Sequence, residues 1–404
     1  MAMKPSDHAA LRKPGNGALA GIRVVDFSHM LPGPWCTQML ADLGADVVKV
    51  ENPGVGDYGR HNSPNFKETS VYFNTVNLNK RSAALDLTDP DDLATVHRLL
   101  ASADVVIESF RDGVPQRLQI DYEFIKKTNP GIIYCSITGY GHSGPFANIP
   151  GHDLIIQSTT GVLAAGRAAT DMPPLPGFLA GDYAAASYAI IGILAALRQR
   201  DATGEGRYLD ISMFDSLFSM SSISNGAALA SASGKHTTTS MELWGGNPRY
   251  NIYRCEDGKM VAVSLLEARI WHHFCRLIGR EDLIHEAETP KDRHTDHGER
   301  ARHYRDAITD LCASRGRDEL VAWMVENNVP IVPVYSPDEA LASAHASARG
   351  VIEWVDHPVE GRIPVLANPL AASGLLRHER RPAPVLGADN ASVGSAQPWQ
   401  QQDQ

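Results

Sequence analysis

The first third of the chain switches repeatedly between two hydrophobic textures, and few folds accommodate that switching. Short, nearly continuous apolar runs occur at Gly21–Phe27, Asp46–Glu51, Arg81–Leu87, Asp104–Glu108 and Gly131–Ile137. A run that does not alternate with polar residues suits a strand buried on both faces. Helix-like segments lie between these runs: Trp35–Leu43, a stretch opened by Thr88-x-x-Asp91 and reaching about Leu100, and Tyr122–Thr128. Pro32-Gly33-Pro34 is expected to break the chain before the first helix, and Gly44 to end it. Strands alternating with helices predict an α/β fold whose mostly parallel sheet is covered on both sides. Ligands of such sheets gather beyond the carboxyl ends of the strands.

With 404 residues the chain exceeds what one core usually serves. Residues 1–18, rich in Lys, Pro and small side chains, are expected to be a flexible N-terminus. Residues 19–224 form the first part of a large domain. The texture then changes, and residues 225–328 are assigned to a smaller α+β domain. Strand character returns at Val329–Val334, so residues 329–387 are read as a return to the large domain. The Gln-, Ser- and Asn-rich residues 388–404 are expected to be disordered.

Met1–Ala20 has no continuous apolar core of the kind a secretory signal needs, and a cytoplasmic location is expected. The apolar stretch Ala184–Leu197 is shorter than the roughly 20 residues of a membrane span and reads as a buried helix. A net charge of −10 argues against a nucleic-acid partner; an anionic ligand would need a local basic cluster. The five scattered cysteines contain no C-x-x-C pair, so neither zinc nor a disulfide framework is indicated.

G-x-G-x-x-G, P-loop, G-x-S-x-G and H-E-x-x-H patterns are all missing. What stands out is Ala180-Gly181-Asp182-Tyr183, at the head of the apolar helix. Asp182 is either a helix cap or a carboxylate held ionised by the helix dipole, with its pKa lowered. Gly181 would let a substrate approach the backbone. The residues alone leave both readings open.

Asp26-Phe-Ser-His-Met-Leu-Pro-Gly-Pro-Trp35, with Ala41–Glu51, Pro53-Gly54 and Gly56-Asp57, resembles the opening of the family III CoA-transferases. That family includes formyl-CoA, crotonobetainyl-CoA and bile-acid CoA-transferases and the 2-methylacyl-CoA racemases. The resemblance continues through Asn79–Ser82, Glu108–Arg111, Gly139–Gly141, Gly151-His152-Asp153, Gly181-Asp182, Thr203–Gly206 and Pro384–Gly387, covering residues 19 to 388. It implies a Rossmann-like large domain, a smaller α+β domain and an interlocked homodimer; a heteromer with a paralogous subunit is a second assembly. The substrates implied are an acyl-CoA and a small carboxylic acid, with no metal, no nucleic acid and no membrane.

By the same resemblance Asp182 is the nucleophile, forming first a mixed anhydride and then a CoA thioester. Coenzyme A contacts carry over to Leu31, Leu85, Asp86, Leu87, Thr88, Ser109, Phe110, Arg111, Arg117, Gly151 and Asp153. Arg111 and Arg117 suit phosphate through their forked donors, although either could be a solvated surface charge. Leu31 and Asn52 depart from the residues of formyl-CoA transferase and speak against formate and oxalate chemistry.

His152 lies thirty positions before Asp182 (182 − 152). The racemases of the family carry a histidine here as one of two bases flanking the α-carbon, a role that its near-neutral pKa suits. Glu267 resembles the racemase glutamate that orients it. The opening blocks, Gln157 and Trp271 look transferase-like. CoA transfer is therefore the leading reading, with racemisation by His152 and Asp182 as the alternative. A catalytically silent partner subunit is the third, opposed by retention of Asp182.

Overall fold

The computed structural model describes residues 17–165, 172–234, 245–295 and 297–399. The chain divides into two compact units: Met1–Thr160 with Pro176–Ser221 and Ala344–Gln404, and Gly161–Leu175 with Ser222–Ser343. The first is built on six strands: β1 (Arg23–Asp26), β2 (Asp46–Glu51), β3 (Arg81–Ala84), β4 (Val105–Glu108), β5 (Ile133–Thr138) and β6 (Arg207–Ser212). They run in the order β3-β2-β1-β4-β5-β6, every neighbour parallel, so the expected parallel α/β sheet is present. This is the doubly wound order, which reverses direction between β1 and β4.

The helices of this unit include α1 (Pro32–Asp42), α2 (Val71–Val76), α3 (Pro90–Ser102), α4 (Val114–Arg117), α5 (Tyr122–Ile125), α6 (Asp153–Thr159), α7 (Ala180–Thr203) and α8 (Met213–Met220). Pro32 does not break the chain but opens α1, because a first-turn N–H has no helical partner to lose. The start signal of α3 is Asp89 rather than Thr88: its carboxylate accepts the Asp91 and Asp92 N–H groups, and Pro90 follows. The 24-residue α7 is long and apolar enough by composition to cross a membrane. It packs on α1, β5, β6 and α8, with Ala185, Ala189 and Ile193 fully buried.

Gly192 brings α7 against Leu209 of β6, whose register partner is Cys135. By strand alternation, Tyr134 and Tyr208 point to the other face. There Tyr134 joins a core with Val96 and Leu99 of α3 and Ile125 of α5.

The second unit holds the antiparallel strands β7 (Tyr250–Arg254), β8 (Met260–Ser264) and β9 (Ile331–Pro333), with helices α9 (Ala268–Leu277), α10 (Arg300–Ala313) and α11 (Arg317–Glu326). Its core centres on Trp271, Phe274, Tyr304 and Met324. The strand expected at Val329–Val334 exists, but as β9 it pairs with β8 and stays in this unit. The chain returns at Ala344 instead. A three-residue edge strand carries no sequence mark of the sheet it joins.

After the return, β10 (Ile352–His357) and β11 (Gly361–Leu366) form a hairpin, and α12 (Asn390–Val393) follows. The tail expected to be disordered is folded as far as residue 399. Asp389 Oδ2 accepts the Ser82 N–H at 2.9 Å, and Asn390 Oδ1 accepts the Ala84 N–H at 2.7 Å. Arg81 Nη1 donates to the Pro398 carbonyl at 2.8 Å, and Trp399 Nε1 to Ser102 Oγ at 2.9 Å. Its polar composition serves the open edge of β3, whose N–H groups need acceptors. Residues 400–404, and residues 1–16 of the segment expected to be flexible, lie outside the described residues.

Candidate active site

Asp182 sits in the first turn of α7. The N-cap is Leu179, without a side-chain cap, so Asp182 does not cap the helix. Nor is its pKa lowered: burial, with the Asp153 charge adding to it, pushes its carboxyl up to about 7. The carboxylate is half-buried and has no hydrogen-bond or ion-pair partner among the described residues to offset its loss of solvation. Beside it, Tyr183 stacks on Phe178 at 5.1 Å and meets Trp35 of α1 edge-on at 5.3 Å. Burial, followed by the Asp182 charge, raises the hydroxyl of Tyr72 on α2 far above its ordinary value, so that hydroxyl stays a donor. Tyr72 escaped the sequence reading because a lone aromatic in a six-residue helix gives no signal.

The position of Asp182 is fixed through its neighbour. Asp153 Oδ1 accepts the Gly181 N–H at 2.7 Å, while Oδ2 accepts Gln157 Nε2 at 2.6 Å. The same Gln157 nitrogen donates to the Phe178 carbonyl at 2.9 Å. A Cβ at Gly181 would lie 3.0 Å from Ile156 Cγ2 and 3.2 Å from Asp153 Oδ1. Gly181 thus lets α7 close against α6; substrate access to the backbone is not what demands it. Asp153, assigned to coenzyme A by resemblance, is buried and spends its oxygens on this junction. Gly151 is required by a backbone crossing, since a Cβ there would meet Gly139 Cα at 2.6 Å.

A second group of charges lies under the loop after β1. Lys49 Nζ contacts Asp57 Oδ2 at 2.9 Å and donates to the Ser28 carbonyl at 2.6 Å. Asp26 Oδ2 takes Lys80 Nζ at 3.1 Å and the Thr37 hydroxyl at 2.6 Å. Asp57 Oδ1 accepts the Met30 N–H at 3.0 Å, holding Met30 at φ 65°. Burial acts to raise Asp26, but Lys49 and Lys80 with two hydroxyl donors overcome it and hold the carboxyl well below its usual range. The network dictates the path of Ser28–Leu31. Its members sit inside the quoted sequence blocks, yet nothing in one sequence pairs them.

Leu31 is buried at the N-cap of α1. The His29 N–H donates to Ser109 Oγ at 3.3 Å, joining the loops that follow β1 and β4 at the reversal of the sheet. Phe110 packs on Phe27 at 6.1 Å. Leu85–Thr88 follow β3, where Asp86 Oδ1 accepts the Thr88 N–H and hydroxyl. Arg111 and Arg117 are exposed, Arg117 in the last turn of α4. His152 is exposed at the N-cap of α6. Glu267 belongs to the second unit, where its carboxylate meets Arg293 at 2.9 Å. Among the described residues no group of three or more His, Cys, Asp or Glu is arranged to hold a metal.

Comparison with known proteins completes the picture. The family model described as CoA-transferase family III matches residues 19–390. A succinate–glutarate CoA-transferase from Agrobacterium fabrum is 32% identical, covering 95% of each chain. A succinyl-CoA:mesaconate CoA-transferase from Haloarcula hispanica is also 32% identical, over 93% of this chain and 96% of its own. Among solved structures, a CaiB/BaiF family protein from Brucella suis superposes with a TM-score of 0.78 at 31% identity, covering 94% of this chain and 99% of that one. Fold, extent and similarity agree: this chain belongs to CoA-transferase family III.

Proposed function

We propose that this protein moves coenzyme A from an acyl-CoA donor to a carboxylic acid acceptor, with Asp182 as the nucleophile. The observation that carries the proposal is the state of Asp182: a half-buried carboxylate, unpaired among the described residues, with its pKa pushed up to about 7. A carboxylate of raised basicity is a better nucleophile than an ordinary aspartate, and it remains substantially ionised at neutral pH. One Asp182 oxygen attacks the thioester carbonyl carbon; the C–S bond breaks, and CoA leaves as thiolate from the mixed anhydride. The thiolate then attacks the aspartyl carbonyl and releases the donor acid as carboxylate. The acceptor carboxylate attacks the resulting aspartyl-CoA thioester and expels the thiolate again. Attack of that thiolate on the acceptor's carbonyl gives the new acyl-CoA and restores Asp182.

Tyr72 is suited to donate a hydrogen bond where negative charge develops. The loops carrying Leu31, Leu85–Thr88, Ser109–Arg111 and Arg117 lie where a doubly wound sheet receives its ligand, and we assign coenzyme A to them. Exposed apolar side chains on α7 and α8 (Ile191, Phe218 and Met220) suit coverage by a second copy in a homodimer.

The test is chromatographic. Succinyl-CoA with glutarate, mesaconate or oxalate should yield a new acyl-CoA with at least one acceptor, and the Asp182→Ala chain should yield none. Deuterium entering the α-carbon of a 2-methylacyl-CoA from D₂O without any acceptor acid would instead establish the racemase reading. A chain that does neither would be a silent subunit.

A further inference from the structure

A cavity of about 440 Å³ opens on the face of the sheet opposite α7; Phe110 and Arg111, assigned to coenzyme A, form part of its rim, and Asp182 does not line it. Its aromatic wall is made by Tyr122, Tyr134 and Tyr208. The Tyr134 and Tyr208 rings lie 5.8 Å apart and 19° from parallel, with Tyr122 5.7 Å from Tyr208. Four carboxylates, Glu108, Asp112, Asp121 and Glu123, line the same space against two basic side chains, Arg111 and His142. Asp112 is already engaged: His142 Nδ1 contacts it at 2.5 Å, while His142 Nε2 meets Ser136 Oγ at 2.9 Å. Glu108 is buried and accepts the Phe110 N–H at 2.7 Å, and burial raises its carboxyl. That leaves Asp121 and Glu123 facing a single guanidinium.

The Ser136–His142–Asp112 chain has the connectivity of a hydrolytic triad. However, Ser136 is fully buried and does not line the cavity, so its hydroxyl is not offered as a nucleophile. It locks the imidazole in place instead.

An independent observation points to a ligand. Tyr134 is 2% exposed and its hydroxyl has no hydrogen-bond partner among the described residues. That hydroxyl lies within electrostatic reach of Glu108 and Asp121, both of which line the cavity. A buried phenol is ordinarily satisfied, and one left unpaired in the wall of a cavity is suited to a visitor with a hydrogen-bonding group. Three facing aromatic rings and surplus carboxylates attract positive charge, the rings through their electron-rich faces. One ring of this wall already attracts a cation: Lys126 Nζ stands 5.2 Å from the Tyr122 ring centre.

We infer that this cavity binds an organic cation, an alkylammonium or guanidinium group, seated against Tyr122, Tyr134 and Tyr208 and paired with Asp121 and Glu123. Such a group could arrive on a free amine or on an arginine of a second copy of this chain. The chemistry is the same in either case.

The full-length chain, without any coenzyme A, is titrated calorimetrically with agmatine, using butanol as a neutral control. Saturable binding of agmatine but not of butanol is expected. Asp121→Asn with Glu123→Gln should weaken it about tenfold, and Tyr134→Phe severalfold, with circular dichroism unchanged. Glu123 is exposed, and asparagine preserves the Asp121 cap on the Phe124 N–H, so loss of folding is not the expected cause. Sedimentation in the same titration separates the two sources. Dissociation of an oligomer by agmatine, absent in the double variant, assigns the natural occupant to a second copy; binding without dissociation assigns it to a small molecule. Absence of both binding and dissociation at millimolar agmatine, or an affinity unchanged in the double variant, overturns the inference. Acyl transfer is not measured, so the outcome is independent of the role of Asp182.

Discussion

Two regions of the first unit treat buried charge in opposite ways. Under the loop after β1, Asp26, Lys49, Asp57 and Lys80 are almost wholly buried, yet every one has an opposite charge within 3.1 Å. At the head of α7, Asp182 is less buried but, among the described residues, has only Asp153, a like charge, shifting its pKa. The first arrangement holds Asp26 firmly ionised; the second lifts Asp182 to about 7. A charge surrounded by partners gives up its reactivity and becomes framework. A charge left without them keeps its basicity, at a cost in stability, and is the one to expect in chemistry.

Substitutions can sharpen or break this contrast. Asp182→Ala should remove acyl transfer by about 10⁴-fold or more, roughly 5 kcal/mol of transition-state stabilisation, without lowering the urea midpoint. Lys49→Met should do the reverse. Stranding Asp57 without its cation, and leaving Asp26 to Lys80 alone, should cost about 3–5 kcal/mol in denaturant unfolding. If both variants lose stability equally, the distinction between framework and reactive charge fails.

Asp182→Asn provides a finer test through pH. The folded-state pKa of Asp182 lies above that of the unfolded chain, so the folded protein binds the extra proton. Its contribution to stability is fully present below about pH 4 and is lost as pH rises through about 7. The asparagine variant should therefore be more stable than the parent by about 1–3 kcal/mol at pH 8, with the gain vanishing near pH 4. Thermal unfolding at the two pH values measures it. The smallest effect belongs to Gly181→Ala. Its Cβ would press on Ile156 and Asp153, and a loss of about 1 kcal/mol is expected, with transfer slowed by displacement of Asp182.

The sheet was legible because strands buried on both faces lack a regular apolar–polar alternation, and Asp46–Glu51 was placed to the residue from Val47, Val48 and Val50 following Gly44. Asp182 was found by its place at the head of a long apolar helix and by resemblance. Its protonation behaviour was misjudged because the dipole is a local property, whereas desolvation depends on Asp153 and on packing from α1 and α2. The same limit explains the tail. Asp389 and Asn390 look like disordered-chain composition until the open edge of β3 is set beside them. Tyr72 and the Lys49–Asp57 pair were invisible for the same cause, since their meaning lies in contacts between segments that sequence does not juxtapose.

The central claim is that Asp182 bonds covalently to the acyl group and then to coenzyme A. Incubation of the chain with succinyl-CoA, quenching with hydroxylamine and peptide mass spectrometry tests it most directly. A hydroxamate on Asp182, present only after exposure to the thioester, is the result predicted. An unmodified Asp182 while acyl transfer proceeds, or a hydroxamate on a different carboxylate, would contradict it.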